Sequence, residues 1–259
     1  MTEAGPQLDL CFAMRGGRTV LARRHVSYPF HVAAPLAGAE VMVQSVSGGL
    51  FGDDRLGQRI VVGAGGAAVI RMPSATVVHG RRGKYAARLA VTLHALEGAR
   101  LAYLPRPVIL LPGSGLVQSM EVTVGDGARV LLQDGFLMHD PAGSPPAGRF
   151  LDSRVTIVRA DGRRVALDRM RVTDAMLDAA APGVAGGCRA FGTVWLLQDM
   201  AAGDHERFRA ALSPVLGQDV YGAITRLRDN SGALIRLAAR DGGALDGALN
   251  AITRGMEFP

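Results

Sequence analysis

Two adjacent carboxylates, Asp53 and Asp54, follow a glycine-rich turn in the segment SGGLFGDD. Such pairs serve acid/base or metal-assisted chemistry, although an aspartate after glycine also caps a turn with its own backbone. His79, His94, His139 and His205 lie near loops, but none stands in HxH, HxxxH or HExxH spacing, so a tight protein-only metal cage is not expected. His139 and Asp140 are neighbours at the start of a proline-rich segment. An imidazole beside a carboxylate could hold a metal transiently; a merely solvated pair is the alternative reading.

Other reaction classes fail on context. Gly63 to Ala68 formally matches GxGxxA, but the β-branched run AAVIRMP follows where the dinucleotide fingerprint needs a helix, and Pro73 soon interrupts it. No Gly-Lys-Ser or Gly-Lys-Thr follows any glycine cluster, which removes a P-loop. No GxSxG elbow is present to expose a serine nucleophile.

The elements that must position these residues read as mostly β. LDLCFAM and RTVLARRHVSYPFHV are short strands with Gly16-Gly17 as a hairpin turn, and EVMVQSV continues the alternation. Residues 45–76 then concentrate glycines, which mark tight turns or close backbone approach. A loose repeat follows: IVVGAGGAAVIRM, VTLHALEGARLAYL, VTVGDGARVLLQ and VTIVRADGRRVALD, with turn glycines Gly66, Gly98, Gly127 and Gly162. Their spacing of roughly thirty residues is that of stacked strand units, while a set of similar hairpins is the competing reading. Residues 139–150 (HDPAGSPPAGRF) and 180–187 read as loops. Two helices are expected near the C-terminus. Residues 204–212 have an acidic first turn, Phe208 and Leu212 on one face, and Pro214 as a stop. In the second, Leu245, Leu249 and Ile252 recur at helical spacing, Asp246, Asn250 and Arg254 face away, and Gly255 ends it. The expected architecture is mainly β: one domain over residues 1–259, a stacked or solenoid-like β-body with two short C-terminal α-helices packed on it.

Composition narrows the function classes. At 259 residues, with 48% hydrophobic content and 34 glycines, the chain can bury a sizeable core through many tight turns. Lys plus Arg number 29 against 23 Asp plus Glu, a net charge of +6 that raises the question of nucleic acid. The arginine pairs Arg23-Arg24, Arg81-Arg82 and Arg163-Arg164 lack the interleaved aromatics that single-strand binders stack on, so an acidic protein partner is favoured. Cys11 and Cys188 lie far apart in no metal or redox spacing. The start, MTEAGPQLDL, has no basic region followed by an apolar core, and every apolar run is broken before it could span a bilayer. A cytoplasmic chain without membrane attachment is the expectation.

The order of the blocks resembles a known family. SGGLFGDDRLGQRIVVGAGGAAVI is similar to the GG-x-x-GD-x-L block and the V-x-V-G-x-G-A strand turn of the urease accessory protein D (UreD/UreH) family. Downstream, Ser74-Ala75-Thr76 matches a small-Ala-Thr segment, and EGARLAYLPRPVILL resembles Gly-Ala-x-Leu-x-Trp-Leu-Pro-Gln. GARVLLQDGFLMHDPAGSPPAGRF, Leu167-Asp168-Arg169 and the closing strand-strand-helix GAITRLRDNSGALIRLAARDGGALDGALNAI follow in order. The resemblance covers nearly the whole chain through the order of its blocks. This chain departs from the family pattern at Tyr103 for Trp, Arg106 for Gln, Arg71-Met72-Pro73 for Thr-Thr-Gln, and Val77 and His79 for Lys and Tyr.

The resemblance implies a non-enzymatic urease maturation scaffold, a chaperone of nickel metallocentre assembly. It implies bridging of accessory proteins F and G, the latter a GTPase, to apo-urease, with nickel insertion along a polar internal path. No tightly bound cofactor is implied; transient nickel is. By position in the matched blocks Asp53 and Thr76 are path candidates, and Asp54, His79, His139 and Asp140 join them on chemistry. Two rivals remain at this level: a hydrolytic or metal-dependent enzyme using Asp53, Asp54 and a histidine, and an arginine-rich β-protein that binds nucleic acid.

Overall fold

A computed structural model describes residues 5–33, 39–80, 85–143, 148–178 and 185–256. The Arg81-Arg82 pair, the middle of the loop at 139–150 and most of the one at 180–187 lie outside them.

The chain begins with β1 (Leu8–Arg15), β2 (Arg18–Val26), β3 (Phe30–Val32) and β4 (Glu40–Ser45). A repeating run follows: β5 (Arg55–Val62), β6 (Ala67–Arg71), β7 (Val77–Val78), β8 (Ala87–Ala95), β9 (Arg100–Leu104), β10 (Val108–Leu110), β11 (Gly115–Val124) and β12 (Arg129–Met138). β13 (Phe150–Arg159) and β14 (Arg164–Thr173) form a hairpin that leads into α1 (Asp174–Asp178). The remainder is β15 (Ala190–Leu197), α2 (Asp204–Leu212), β16 (Val220–Arg226), β17 (Gly232–Ala239) and α3 (Gly242–Gly255).

Two sheets stack face to face. One has the order β14-β13-β11-β8-β5-β1-β2; the other runs β16-β17-β15-β12-β9-β6-β4-β3, with β10 and β7 continuing the β9 and β6 rows. β5, β8, β11 and β13 pair in parallel in the first sheet, and β4, β6, β9 and β12 in the second. Each of the β5–β6, β8–β9 and β11–β12 connections therefore crosses from one sheet to the other, making a β-solenoid of about three turns. Its corners hydrogen-bond in register: Gly65 N–H donates to Glu97 O and Gly98 N–H to Asp126 O, both at 2.8 Å. Both readings of the repeat thus apply, the first three units being solenoid rungs and the fourth an antiparallel hairpin. In the first rung the left-handed glycine is Gly65 (φ 66°) rather than Gly66, because Gly66 N–H bonds back to Gly63 O within the turn.

The main core lies between the sheets. Leu10, Phe12, Ile60, Leu93 and Val122 meet Ile70, Leu101, Leu132 and Trp195 there, following the alternation along each strand. A second core joins the outer face of the larger sheet to α2 and α3 through Leu131, Val194, Ile235, Phe208, Leu212, Leu245, Leu249 and Ile252. Both expected helices form where their periodicity places them. α3 is capped by Asp241, whose Oδ1 accepts from Ala244 N–H at 2.9 Å. Its seat depends on Gly192, where an added Cβ would stand 2.9 Å from Leu245 Cδ1. Two corrections follow. α1 is a third, five-residue helix too short to show periodicity, and Asp246 turns to Arg106 rather than away from the body.

The ladder of the larger sheet is interrupted between β6 and β7 and, beside it, between β9 and β10. Met72 N–H bonds Leu104 O at 3.3 Å, and the pairing resumes with Ile109 N–H to Thr76 O at 2.9 Å. Pro73, Pro105 and Pro107 fall in the gap, and a residue without an N–H cannot hold a central ladder. The result is a window framed by residues 72–76 and 105–107, with β12 beside it.

Candidate functional site

Behind this window, between the sheets, lies a cavity of about 210 Å³. Its mouth is formed by Gln44, Ser45, Gly48 and Ser74, all exposed, and its interior carries Gln58, Tyr103, Gln118 and Asp134 among Leu56, Leu89, Val91 and Met120. Each polar group stands at an inward position of its strand, so strand alternation itself delivers it to the interior.

Two hydrogen-bonded bridges cross from sheet to sheet. Tyr103 Oη on β9 donates to Gln58 Oε1 on β5 at 2.9 Å. Gln118 Nε2 on β11 donates to both carboxylate oxygens of Asp134 on β12, at 3.1 and 3.0 Å, and Gly135 N–H donates to Asp134 Oδ1 at 2.9 Å. Burial pushes the Asp134 carboxyl up to about 6, against the opposing pull of the Gln118 and Gly135 hydrogen bonds, and the nearby Asp168 adds to the rise. Burial, with Asp134 adding to it, also pushes the Tyr103 phenol up.

Asp134 also lines a second cleft of about 410 Å³ with Thr193, Tyr221 and Arg236, where Arg236 pairs with Asp168 of β14 at 2.6 Å. Asp134, Thr193 and Arg236 occupy one cross-strand row, being register partners on β12, β15 and β17. On the other side of the window, Arg106 and Ala75 line both the inner cavity and an outer pocket of about 550 Å³. That pocket also includes His139, Asp241 and Asp246. The inner cavity thus adjoins one cleft at Asp134 and the other at Arg106.

The mouth is shaped by the glycine-rich turn. Gly49 has φ 132°, and a Cβ there would lie 2.4 Å from Val77 O, so only glycine fits. Ser47 Oγ donates to Gly49 O at 3.0 Å, and His79 Nε2–H donates to Gly48 O at 2.8 Å while its ring stacks on Phe51. Asp54 Oδ2 accepts from Phe51 N–H at 2.8 Å, and Asp53, at φ 72°, accepts from Tyr85 N–H at 2.9 Å.

Of the six residues singled out from sequence, Thr76 lines the inner cavity and His139 the outer pocket. Asp54 caps the turn after the mouth, Asp53 ties that turn to Tyr85, and His79 braces it. Asp140 belongs to the β12 loop, where its Oδ1 accepts from Ala142 N–H at 3.0 Å. These six are not gathered into one constellation, and no group of three or more metal-ligating side chains occurs among the described residues. The interior residues Gln58, Gln118 and Asp134 went unread in the sequence. Their signal is a polar side chain at the buried parity of a Val/Leu-rich strand, a parity visible only once the inward face is known.

The paired acids around the surface temper the positive charge. Asp9 pairs with Arg23 and Arg59, Glu40 with Arg71, and Asp229 with Arg163. Among the described residues no helix is long and apolar enough to cross a membrane.

Comparison with known proteins gives a consistent match. A family model described as UreD urease accessory protein covers residues 4–257. The chain is 36% identical over 249 residues to urease accessory protein UreD 2 of Bradyrhizobium sp. (strain ORS 278), spanning 91% of this chain and 84% of that protein. It is 37% identical over 246 residues to UreD 2 of Bradyrhizobium sp. (strain BTAi1 / ATCC BAA-1182), with the same coverage of each. Against UreD 1 of Methylorubrum extorquens (strain PA1) it is 35% identical over 258 residues, spanning 96% and 86%.

Proposed function

The chain belongs to the UreD urease accessory protein family, non-catalytic proteins of urease maturation, and we propose that it bridges accessory proteins F and G to apo-urease while nickel passes through its interior. The reading rests on one observation above the rest. A cavity between the sheets is lined by carboxamides, hydroxyls, a phenol, the Arg106 guanidinium and one carboxylate, and that carboxylate, Asp134, is shared with a second cleft.

Such a lining suits a passing ion. Ni²⁺ accepts oxygen and imidazole ligands, and a site of several converging thiolates or imidazoles would retain it. One carboxylate with neutral oxygens offers enough attraction to draw a divalent cation out of water without trapping it. An arriving ion would meet a carboxylate that is already mostly ionised at neutral pH and would hold it in that form, because a cation close by favours the charged carboxylate. Thr76 belongs to the cavity wall, Asp53, Asp54 and His79 to the turn behind its mouth, and His139 and Asp140 to the side of the outer pocket. The protein holds no resident cofactor in this reading; nickel is cargo. The cytoplasm is the compartment proposed.

The test is activation of apo-urease by the purified accessory complex. Asp134→Asn should lower the rate of activation and the nickel content of urease while pull-down of the F and G proteins is unchanged. Unimpaired activation would remove the path, and failure of the unaltered chain to bind either partner would remove the scaffold.

A further inference from the structure

α2 and α3 pack on the outer face of the larger sheet, whereas the outer face of the smaller one carries Arg55, Arg88, Arg154, Arg169 and Arg171, all exposed. Strand register gathers these five arginines into two adjacent rows. Arg55, Arg88, Val117, Asp152 and Arg171 are successive partners across β5, β8, β11, β13 and β14. Gly57, Ala90, Ser119, Arg154 and Arg169 form the next row on the same face, two positions away along each strand. Two like-charge pairs result, Arg55 beside Arg88 and Arg154 beside Arg169. Asp152 pairs with Arg169 at 3.2 Å, while Arg55, Arg88, Arg154 and Arg171 make no ion pair among the described residues. Like charges directly opposite across strands destabilise a sheet, so the chain by itself gains no stability from this arrangement. Between the two arginine groups lie Val117 and Ser119 of β11, with Ala90 beside them, a floor of short side chains. β8 and β13 flank that floor at two strand spacings, about 10 Å apart.

We infer that this face is a docking surface for an acidic segment of a partner protein, seated over β11 with carboxylates toward Arg55 and Arg88 on one side and Arg154, Arg169 and Arg171 on the other. The inference rests on the scaffold reading, to which it adds where one partner binds and by what chemistry. Charge complementarity carries it: five guanidinium groups face a single carboxylate, Asp152, in the two rows. An acidic segment relieves the repulsion within each like-charge pair and accepts the paired N–H groups that a guanidinium offers a carboxylate. Nucleic acid fits this face less well, because neither row holds an aromatic side chain for bases to stack on. β14 is the edge of its sheet, so the rows run out to the border of the body, where a partner reaches them without displacing any described element.

The experiment measures binding of the full chain to poly-L-glutamate and, separately, to purified F protein, G protein and apo-urease. Arg88→Glu combined with Arg154→Glu should weaken binding of poly-L-glutamate and of at least one of the three proteins by about tenfold or more. Arg88→Lys with Arg154→Lys should retain most of it. Arg88→Gln with Arg154→Gln should weaken binding by about threefold, while its urea midpoint at low salt stays level or rises, because each change removes a like-charge neighbour; a fall in that midpoint would mark the arginines as structural. Arg207→Glu with Arg209→Glu makes the same change of net charge on α2, behind the larger sheet, and should leave binding within about twofold. Equal loss in the α2 variant, unchanged binding by the Arg88→Glu, Arg154→Glu variant, or a tighter arginine-dependent hold on duplex DNA or phosphatidylserine vesicles than on poly-L-glutamate would overturn the inference. If the unaltered chain binds none of the three proteins, the scaffold reading fails; the acidic chemistry of the face then stands on arginine-dependent binding of poly-L-glutamate and falls without it.

Discussion

Gln118 on β11 reaches across the interior to grip Asp134 on β12, its one Nε2 donating to both carboxylate oxygens at 3.1 and 3.0 Å. The amide holds the acid at the junction of two cavities, yet burial still outweighs these bonds and keeps the carboxyl raised, to about 6. Above about pH 6 the charged carboxylate prevails, so at neutral pH the interior presents one negative charge to a passing cation.

That balance has a pH signature in stability. The Asp134 carboxyl rises from 3.8 to about 6, so the folded state holds the proton more tightly than the unfolded chain. Its contribution is full below about pH 4 and is lost as pH rises through about 6. Asp134→Asn mimics the protonated form and should be more stable than the parent at pH 7.5 by on the order of 1–3 kcal/mol, with little difference at pH 4. Urea midpoints at the two pH values decide it; an equal gap at both would contradict the assignment.

Asp53 can be separated into turn and ion roles by two substitutions. At φ 72°, with its Oδ1 on Tyr85 N–H at 2.9 Å, the position tolerates Asn, which keeps both the left-handed backbone and the acceptor. Asp53→Ala should cost about 1–2 kcal/mol in thermal or chemical denaturation. Asp53→Asn should retain stability and still lower nickel delivery to urease. Normal delivery by the Asn variant would leave the turn as the residue's whole task.

Close packing of α3 gives a third expectation. A Cβ on Gly192 would lie 2.9 Å from Leu245 Cδ1 and 3.3 Å from Leu249 Cδ2. Gly192→Ala should therefore destabilise by about 1–3 kcal/mol through overpacking. Gly247→Ala, on the same helix with nothing within 4 Å of its added Cβ, should stabilise or stay neutral. Denaturation curves of the pair should move in different directions or by clearly different amounts.

The loop after β12 depends on a buried ion pair. Arg149 and Asp174 have side chains 6% and 4% exposed, with Nε and Oδ2 3.5 Å apart, and Arg149 Nη1 also donates to His139 O at 3.0 Å. Removing one partner leaves a buried charge, so Arg149→Met should cost about 3–5 kcal/mol. Limited proteolysis should then cut near His139 before the rest of the chain. A protease pattern identical to the parent's would show that other contacts hold the loop.

Much of the fold was legible because its signals are local. The periodicity of Phe208 and Leu212, and of Leu245, Leu249 and Ile252, placed two helices, since an amphipathic stripe is written in spacing alone. The turn glycines Gly98, Gly127 and Gly162 marked corners for the same reason. What local spacing leaves open is whether a corner closes a hairpin or crosses to a facing sheet; β13 and β14 share their turn chemistry with the rungs but pair with each other. The site was less legible. Asp53, Asp54, His79, His139 and Asp140 stand out because they sit in loops between apolar strands, whereas Gln58, Gln118 and Asp134 are masked by the strands that carry them.

Sequence by itself determined a β-rich stacked body, its two longer helices, the family through the order of its blocks, and the absence of nucleotide and nucleophile motifs. Tertiary structure alone decided that three prolines in two neighbouring inter-strand segments frame one window, that Arg106 and Asp246, 140 positions apart, pair beside it, and that Gln118 and Asp134 face one another. The physical reason is that turn preference and helical stripe are properties of a few consecutive residues. The environment of a polar side chain is set by which strand lies opposite, and that is fixed only when the two sheets close on their shared core.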